Sequence, residues 1–471
     1  MRILLIQPPF PEKDITSLTK YAPMGLIAIA GYVRENNKNA EIKIYDANIE
    51  ENSSIQKLVD LILEYDPRIL GLTGMTTNIN AALKIAESVK TIKPDIITIV
   101  GGVHATVAPN DVLSNKTIDF IVIGEGEITF SEFLENIDSP EVYEKIKGLG
   151  YKRNGKIILN ERRELIKNLD ELPIPAYDLL KIEKYRSPYG SRSPFISVIR
   201  SRGCPFRCIF CGVQSMFGRI YRVQSPARTI KEVDYLIDKF GVKEIGFKDS
   251  EFIINPQNTA EFCDLLIERG YDLIWSCNAR VDQGNYELYQ KMKKAGCLTV
   301  AFGAESGDQD ILNTLKKGIT IQQIKQAIKN ARKAGLKSSV GLIIGSPGET
   351  KETIMKTIKL AKEINPDYVA FSFATPFPGT ELREMAIKNN WLINPDLEAV
   401  TYMQLTMNAT NLPTEELKKY MQKAYRSFYF RPSYILKRLT MLNKEEVKTS
   451  ILGFVALIKD FFKRKKPDST E

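Results

Sequence analysis

Short β-branched runs alternate with stretches of helical spacing twice along this chain, and no other feature restricts the fold as much. Residues 3–6, 42–45, 69–73, 96–100 and 120–123 read as buried strands. Between them, residues 25–34, 55–64 and 80–93 carry apolar positions at helical spacing. Parallel neighbours need such crossover helices, because the chain must return the length of the sheet before the next strand can start. The alternation therefore predicts a doubly wound parallel α/β domain over residues 1–138.

From 139 to 192 the rhythm is lost. Gly148, Gly150, Asn154-Gly155, Pro173, Pro175, Pro188 and Gly190 interrupt any regular element, which predicts a linker with one hairpin. The pattern restarts with strands at 196–199, 244–248, 273–276, 298–302, 339–344 and 368–373. Six βα units over 193–390 predict a partial barrel, with its chemistry at the C-terminal ends of the strands. Residues 391–471 form an extension whose segment 450–466 sets Ile451, Leu452, Phe454, Val455, Leu457, Ile458, Phe461 and Phe462 before Lys463-Arg464-Lys465-Lys466. Such a basic-ended amphipathic helix can lie on an anionic membrane surface or pack on its own domain, and both readings stay open.

Composition narrows the class. At 471 residues the chain exceeds what one hydrophobic core usually organises. Hydrophobic residues at 43% and charged residues at 26% exclude a disordered chain. The formal net charge of +9 suits a lysine-rich surface as well as an anionic partner. Met1-Arg2 leads straight into Ile3-Leu4-Leu5-Ile6 and then Gln7-Pro8-Pro9, too short an apolar run for an export signal, so a cytoplasmic protein is expected. The apolar stretches 22–33 and 451–458 fall short of the roughly 20 residues of a spanning helix.

Six cysteines in such a chain do not make a disulfide framework. Cys263, Cys277 and Cys297 are scattered and read as small buried hydrophobes. Cys204, Cys208 and Cys211 crowd into eight residues directly after a strand. Structural zinc takes four protein ligands, and neither a fourth cysteine nor the single histidine, His104, lies in this stretch. Three thiolates on an iron–sulfur cluster leave one iron open, whereas an electron-carrying cluster normally has four.

The run Cys-x3-Cys-x-Phe-Cys after the first strand of a βα barrel resembles the radical S-adenosylmethionine (SAM) superfamily, over about residues 195–382. The resemblance implies a [4Fe-4S] cluster on Cys204, Cys208 and Cys211 whose open iron chelates the methionine part of SAM. On reduction, SAM is cleaved to a 5′-deoxyadenosyl radical. It further implies Phe210 near the adenine, Asp249 near ribose or substrate, and Arg280 on the SAM carboxylate, which a guanidinium binds at two points. Ser276 ends the third strand beside these groups, Glu305 faces the SAM amino group or ribose, and Gly345 in the run 341–348 lets backbone approach the adenine. Taken singly, Arg280 and Glu305 are equally well read as structural ion-pair residues.

Upstream, Thr73-Gly74, Gly101-Gly102 with His104 and Thr106, and Gly124-Glu125-Gly126 follow strands at the edge where open α/β sheets bind ligands. Each alone is ordinary turn chemistry. Together with Pro23-Met24-Gly25 they resemble the cobalamin-binding domain of B12-dependent radical SAM enzymes, and imply that these loops hold cobalamin. The Asp-x-His-x2-Gly motif that supplies a lower histidine ligand elsewhere is absent, and whether His104 reaches the metal stays open.

The function expected from the resemblance is cobalamin-dependent methylation of an unactivated carbon on a large, apolar, lipid-like substrate. The reductant would be a ferredoxin or flavodoxin. Carbon–carbon bond or ring formation, as in relatives of the anaerobic magnesium-protoporphyrin monomethyl ester cyclase, is the alternative, and an iron–sulfur redox or sensing protein a third. Nucleic acid is not an expected partner: sulfur-inserting tRNA-modifying relatives carry extra upstream cysteines, and residues 1–203 contain none.

Overall fold

The computed structural model describes residues 1–11, 20–50, 54–189, 192–394 and 401–441. Strands β1 (Arg2–Gln7), β2 (Glu41–Asp46), β3 (Ile69–Thr73), β4 (Ile97–Gly101) and β5 (Phe120–Val122) form a parallel sheet in the order β2-β1-β3-β4-β5. Both faces are covered. Leu4, Ile6, Leu70, Leu72 and Val100 belong to one apolar layer, and Ile3, Leu5, Ile69, Ile99 and Val122 to the other. A strand buried on both faces has no polar alternate positions, which is why these strands read as continuous apolar runs.

The hairpin expected inside the 139–192 linker is built into this first sheet. Strands β6 (Leu149–Arg153) and β7 (Lys156–Leu159) extend it antiparallel beyond β5. Tyr143 and Tyr151 bring aromatic rings against Phe120 and Phe133, which gives the hairpin a reason to dock. The rest of the segment straps the two domains: Ala176 N–H donates to Ile27 O at 2.9 Å, and Tyr185 OH donates to buried Asp46 at 3.1 Å.

A second sheet holds β8 (Phe195–Val198), β11 (Glu244–Phe247), β12 (Ile274–Ala279), β13 (Cys297–Glu305), β14 (Lys337–Ile344) and β15 (Tyr368–Phe373), all parallel, in the order β15-β14-β13-β12-β11-β8. Between β8 and β11 lies a two-stranded ribbon of β9 (Ser201–Arg202) and β10 (Arg222–Val223). Ser225, Asn255, Asn285, Thr320, Thr350 and Thr380 each accept a backbone N–H at the start of the following helix.

Side chains of this sheet alternate. Ile245, Phe247, Trp275, Cys277, Val300, Phe302, Val340, Leu342, Val369 and Phe371 belong to the outer apolar core. The opposite face carries Ser197, Gly246, Ser276, Asn278, Thr299, Ala301, Gly303, Ser339, Gly341, Ala370 and Ser372. Barrels filled by side chains use bulky branched residues there; here that face is mostly small residues, with the Phe195 ring packed over Gly246 and Ala370 exposed.

Helix Thr414–Tyr429 closes one edge of the sheet. Tyr425 OH donates to Phe371 O at 2.8 Å and accepts from Phe371 N–H at 3.2 Å, and Tyr429 does the same to Val369 at 2.6 and 3.0 Å. Two hydroxyls one helical turn apart thus satisfy the free edge of β15. The amphipathic segment 450–466 lies outside the described residues. Among the described residues, no helix is long and apolar enough to cross a membrane.

Candidate active site at the domain junction

The cysteine loop is fixed at its root. Gly203 has φ +85°, and a Cβ there would lie 2.0 Å from Ile220 O, so only glycine fits where the β9–β10 ribbon closes. Further on, Ile209 N–H donates to Leu315 O at 3.2 Å and Leu382 N–H to Ile209 O at 2.9 Å, tying the loop to two later parts of the barrel. Cys208 is buried and Cys204 and Cys211 partly so, all three unbridged. Burial pushes the thiols up, Cys204 to about 11, and Cys204 and Cys211 are raised further by the other cysteines of the set. Lys317 and Arg280 act in the opposite sense on Cys208. Thiols in this setting become thiolates when a metal centre takes them. Among the described residues, no three His, Cys, Asp or Glu side chains are placed to hold a single metal ion. Phe210 packs against the apolar group of Ile209, Ile311, Leu315, Ile343 and Leu382.

The strand ends bring several charged groups around this loop. Asp249 is fully buried; Oδ1 accepts from Ser201 Oγ, Oδ2 has no partner, and burial pushes the carboxyl to about 6. Glu251 also leaves one buried oxygen unbonded, and burial pushes it to about 7 against the pull of Lys317 and Arg280. Arg280 spends its fork on Asp282 in two 3.0 Å bonds, donates to Lys317 O at 2.8 Å, and stacks 3.6 Å over the Phe206 ring of the cysteine loop. Its guanidinium face and not its fork therefore meets the loop. Glu305 accepts from Lys317 Nζ at 2.8 Å. A register shift between Gly303 and Glu305, with Glu305 at φ +63°, turns this carboxylate out of the strand. Ser276 is buried on the inner face, and Gly345 sits at φ +87° with its N–H donated to Glu349.

The C-terminal edge of the first sheet faces the same loop, with helix Val103–Val107 packed on helix Val213–Phe217 just after Cys211. Its glycines divide in two. A Cβ at Gly102 would lie 2.8 Å from Thr73 Oγ1 and 3.0 Å from Gly74 O at φ +94°, so the chain's own packing requires that glycine, whereas at Gly74 and Gly126 it would meet only the mobile ends of Ile79 and Ile29 at 2.6 and 3.0 Å. At Gly101 and Gly124 the nearest atoms are 3.9 and 3.6 Å away, and at Gly25 nothing lies within 4 Å, so those positions leave room for a ligand. Thr106 Oγ1 donates to Gly102 O and accepts from Gly124 N–H, linking two of the loops. His104 is buried with Nδ1 3.1 Å from Thr76 Oγ1, and desolvation lowers its pKa. Glu125 is not free to meet a ligand: its carboxylate accepts from Arg202, Arg222 and the Ile166 N–H. Arg202 also pairs with Glu127.

Sequence reasoning passed over several of these residues. Arg202 and Arg222 flank the cysteine loop but carry no motif. Glu251 stands two residues after Asp249 and Glu349 directly follows the run 341–348, so their acidity was the available signal. Lys317 gave none, because its partner is 12 residues away on another element.

Comparison with known proteins agrees with this arrangement. The Radical SAM superfamily model matches residues 198–361 and the B12 binding domain model residues 15–134. An uncharacterized methyltransferase of Pyrococcus horikoshii is 37% identical over 458 residues, covering 97% of this chain and 98% of that one. An anaerobic magnesium-protoporphyrin IX monomethyl ester cyclase of Rubrivivax gelatinosus is 29% identical over 474 residues, 99% of this chain and 84% of that one. Among solved structures, the cobalamin-dependent SAM radical enzyme OxsB, with aqua-cobalamin and SAM bound, superposes with TM-score 0.75 at 19% identity, covering 98% of this chain and 72% of that one. The superposition takes in nearly all of this chain, both sheets included. With the cysteine loop set against the open edge of the first sheet, and identity sustained over nearly the whole of both chains, the protein belongs to the radical SAM enzymes that carry an amino-terminal B12 binding domain.

Proposed function

We propose that the protein is a cobalamin-dependent radical SAM methyltransferase, in which Cys204, Cys208 and Cys211 hold a [4Fe-4S] cluster between the two domains. One observation carries this reading: three unbridged thiols sit on a loop clamped to both the barrel and the first sheet, beside carboxylate oxygens that have no partner. When bound, the cluster supplies the electron that cleaves SAM, and cobalamin supplies a carrier for the methyl group.

The chain's own residues prepare the site. Glu251 and Glu305 present carboxylates to the SAM amino group and ribose hydroxyls, with Lys317 holding Glu305 in place. Arg280, locked by Asp282, presses on Phe206 and so positions the loop instead of taking the SAM carboxylate through its fork. Asp249 buttresses the same loop from below through Ser201. Phe210 flanks the adenine, Ser276 and the glycines of the inner face make room for it, and Gly345 lets backbone come close. On the first-domain side, Thr73, Gly74, Gly101, Gly102, Thr106, Gly124 and Gly126 shape the cobalamin edge. Glu125 serves that edge by bracing it against Arg202 and Arg222, and His104 by packing inside it. A ferredoxin or flavodoxin delivers the electron. A large substrate with an apolar, lipid-like part fits only if that part stays outside the hydroxyl-lined interior.

Anaerobic reconstitution with iron, sulfide, SAM and hydroxocobalamin tests this. The expected outcome is 5′-deoxyadenosine formation and a retained corrinoid spectrum, followed by a product heavier by one methyl group. A cluster-replete protein that forms no 5′-deoxyadenosine sinks the enzyme reading. The alignment to the cyclase over 99% of the chain favours ring formation as the second reading, which a product without added methyl would select.

A further inference from the structure

The cysteine loop meets solvent with charge of one sign. From Lys184 to Lys231 the sequence contains no aspartate or glutamate, and this stretch holds β8, the β9–β10 ribbon, the whole loop and helix Val213–Phe217. Four of its arginines are spent inside the protein: Arg200 on Asn258, Thr259 and Phe252 O, Arg202 and Arg222 on Glu125, and Arg228 on Glu232. Arg207 and Arg219 are not. Both are exposed, and no described carboxylate pairs with either.

The two belong to one small surface. Gln214 Nε2 donates to Phe206 O at 2.8 Å and Gln214 Oε1 accepts from Arg219 Nε at 3.1 Å, so Arg219 is tethered to the residue before Arg207. The Ile220 carbonyl lies against Gly203, where a Cβ finds no room, while the Ile220 side chain is 59% exposed. Pro205 is exposed as well. A third exposed guanidinium, Arg162, donates to Ser215 O and Met216 O at 2.6 and 2.7 Å on helix Val213–Phe217, and Glu161 beside it is engaged by Lys147. The thiols lie directly beneath, since Cys204 and Cys208 are the chain neighbours of Pro205 and Arg207. The loop's other contacts face inward, to Arg280 through Phe206 and to Leu315 and Leu382 through Ile209.

Cations around an exposed apolar residue suit a brief encounter with a protein of opposite charge. Electron-transfer complexes are small, and charges at their rim steer the approach instead of supplying lasting affinity. We propose that Pro205, Arg207, Arg219 and Ile220 form the docking face for a small acidic electron-carrier protein. The inference rests on the radical SAM reading, which requires one electron for each SAM cleaved. The carrier is oxidised by one electron, the cluster held by Cys204, Cys208 and Cys211 is reduced by one, and no atom crosses the interface.

The test compares two reductants on the reconstituted holoenzyme: dithionite, a small molecule that needs no docking face, and flavodoxin kept reduced by NADPH and its reductase, with a ferredoxin run in parallel. The initial rate of 5′-deoxyadenosine formation is followed against carrier concentration. In the Arg207→Glu/Arg219→Glu double variant, kcat/KM for the carrier is expected to fall about tenfold or more, with the dithionite rate unchanged. Arg219→Glu alone, which leaves the chain between the cysteines untouched, lowers it severalfold. Lys329→Glu, on the outer helix Ile321–Lys333, leaves both rates as they are. Raising the salt from about 0.05 to 0.5 M slows the carrier-driven rate of the wild type and brings it toward that of the double variant. Equal carrier-driven rates in wild type and double variant overturn the proposal, as do equal losses with both reductants, or a wild type that turns over with dithionite and accepts electrons from neither carrier. A cluster-replete protein that cleaves no SAM even with dithionite removes the radical reading instead. Docking is then judged without turnover, by surface plasmon resonance on immobilised oxidised flavodoxin, where equal binding by the double variant overturns the face.

Discussion

The two sides of the junction treat buried carboxylates in opposite ways. On the first-domain side, both oxygens of Glu125 are bonded, to Arg202, Arg222 and the Ile166 N–H. On the barrel side, Asp249, Glu251 and Glu349 each leave one oxygen unbonded, and Ser197 and Thr299 leave their hydroxyls so. Buried polar atoms are rarely orphaned. Glu125 therefore braces the two domains, although Arg222 keeps its Nε and Nη2 unbonded; on the barrel side the carboxylates keep acceptor capacity to spare.

The strongest way to break this contrast is to remove a ligand-bearing side chain. Cys208→Ala is expected to lose the iron–sulfur absorbance and all 5′-deoxyadenosine formation, with the circular dichroism spectrum unchanged. Retention of both would remove Cys208 from the ligand set. Next in size is Glu125→Ala, which strands Arg222 in a buried place and leaves Arg202 with Glu127 alone. Breaking a buried pair costs about 3–5 kcal/mol, read as a lower urea midpoint at constant slope; a loss under about 1 kcal/mol would show that the clamp is not what joins the domains.

Glu349 supplies a pH-dependent effect. Burial raises its carboxyl from 4.5 to about 7, while the Ser346 and Gly345 N–H groups pull it down. The folded state thus holds a proton that the unfolded chain releases between those two values. The stability this contributes is complete below the lower value and is lost as pH rises through the upper one, by about 3 kcal/mol if the group acts alone. Glu349→Gln flattens that slope; an unchanged unfolding profile would show that the carboxyl is already ionised in the fold. The smallest effect is Tyr185→Phe, which takes one donor from buried Asp46 across the junction. A loss of about 1 kcal/mol is expected in the same urea titration, and no loss would mean that the strap contributes nothing there.

Much of the fold was legible because local signals and burial agree. The apolar runs at 3–6 and 69–73 are buried on both faces, which only a covered parallel sheet provides. The strands of the second sheet at 196–199, 244–248 and 339–344 were legible for the same reason, each an apolar run that the fold buries. The cysteine loop was equally plain, since its three thiols are close in sequence. Hidden from the sequence were the pairs that span it. Arg202 and Arg222 reach Glu125 across 77 and 97 residues, and Tyr425 and Tyr429 meet the edge of β15 across 54 and 60. Arg280 suited a carboxylate by its chemistry, and only the fold showed that Asp282 had already taken its fork.

By itself, then, the sequence determined the two α/β domains and the cysteine spacing. Each depends on interactions within a few residues or on a periodicity that a sheet face or helix stripe enforces. The tertiary structure decided which charges are satisfied and that the 149–159 hairpin completes the first sheet. A side chain's partner depends on which distant strand end arrives beside it, and with it whether that side chain braces the fold or awaits a ligand.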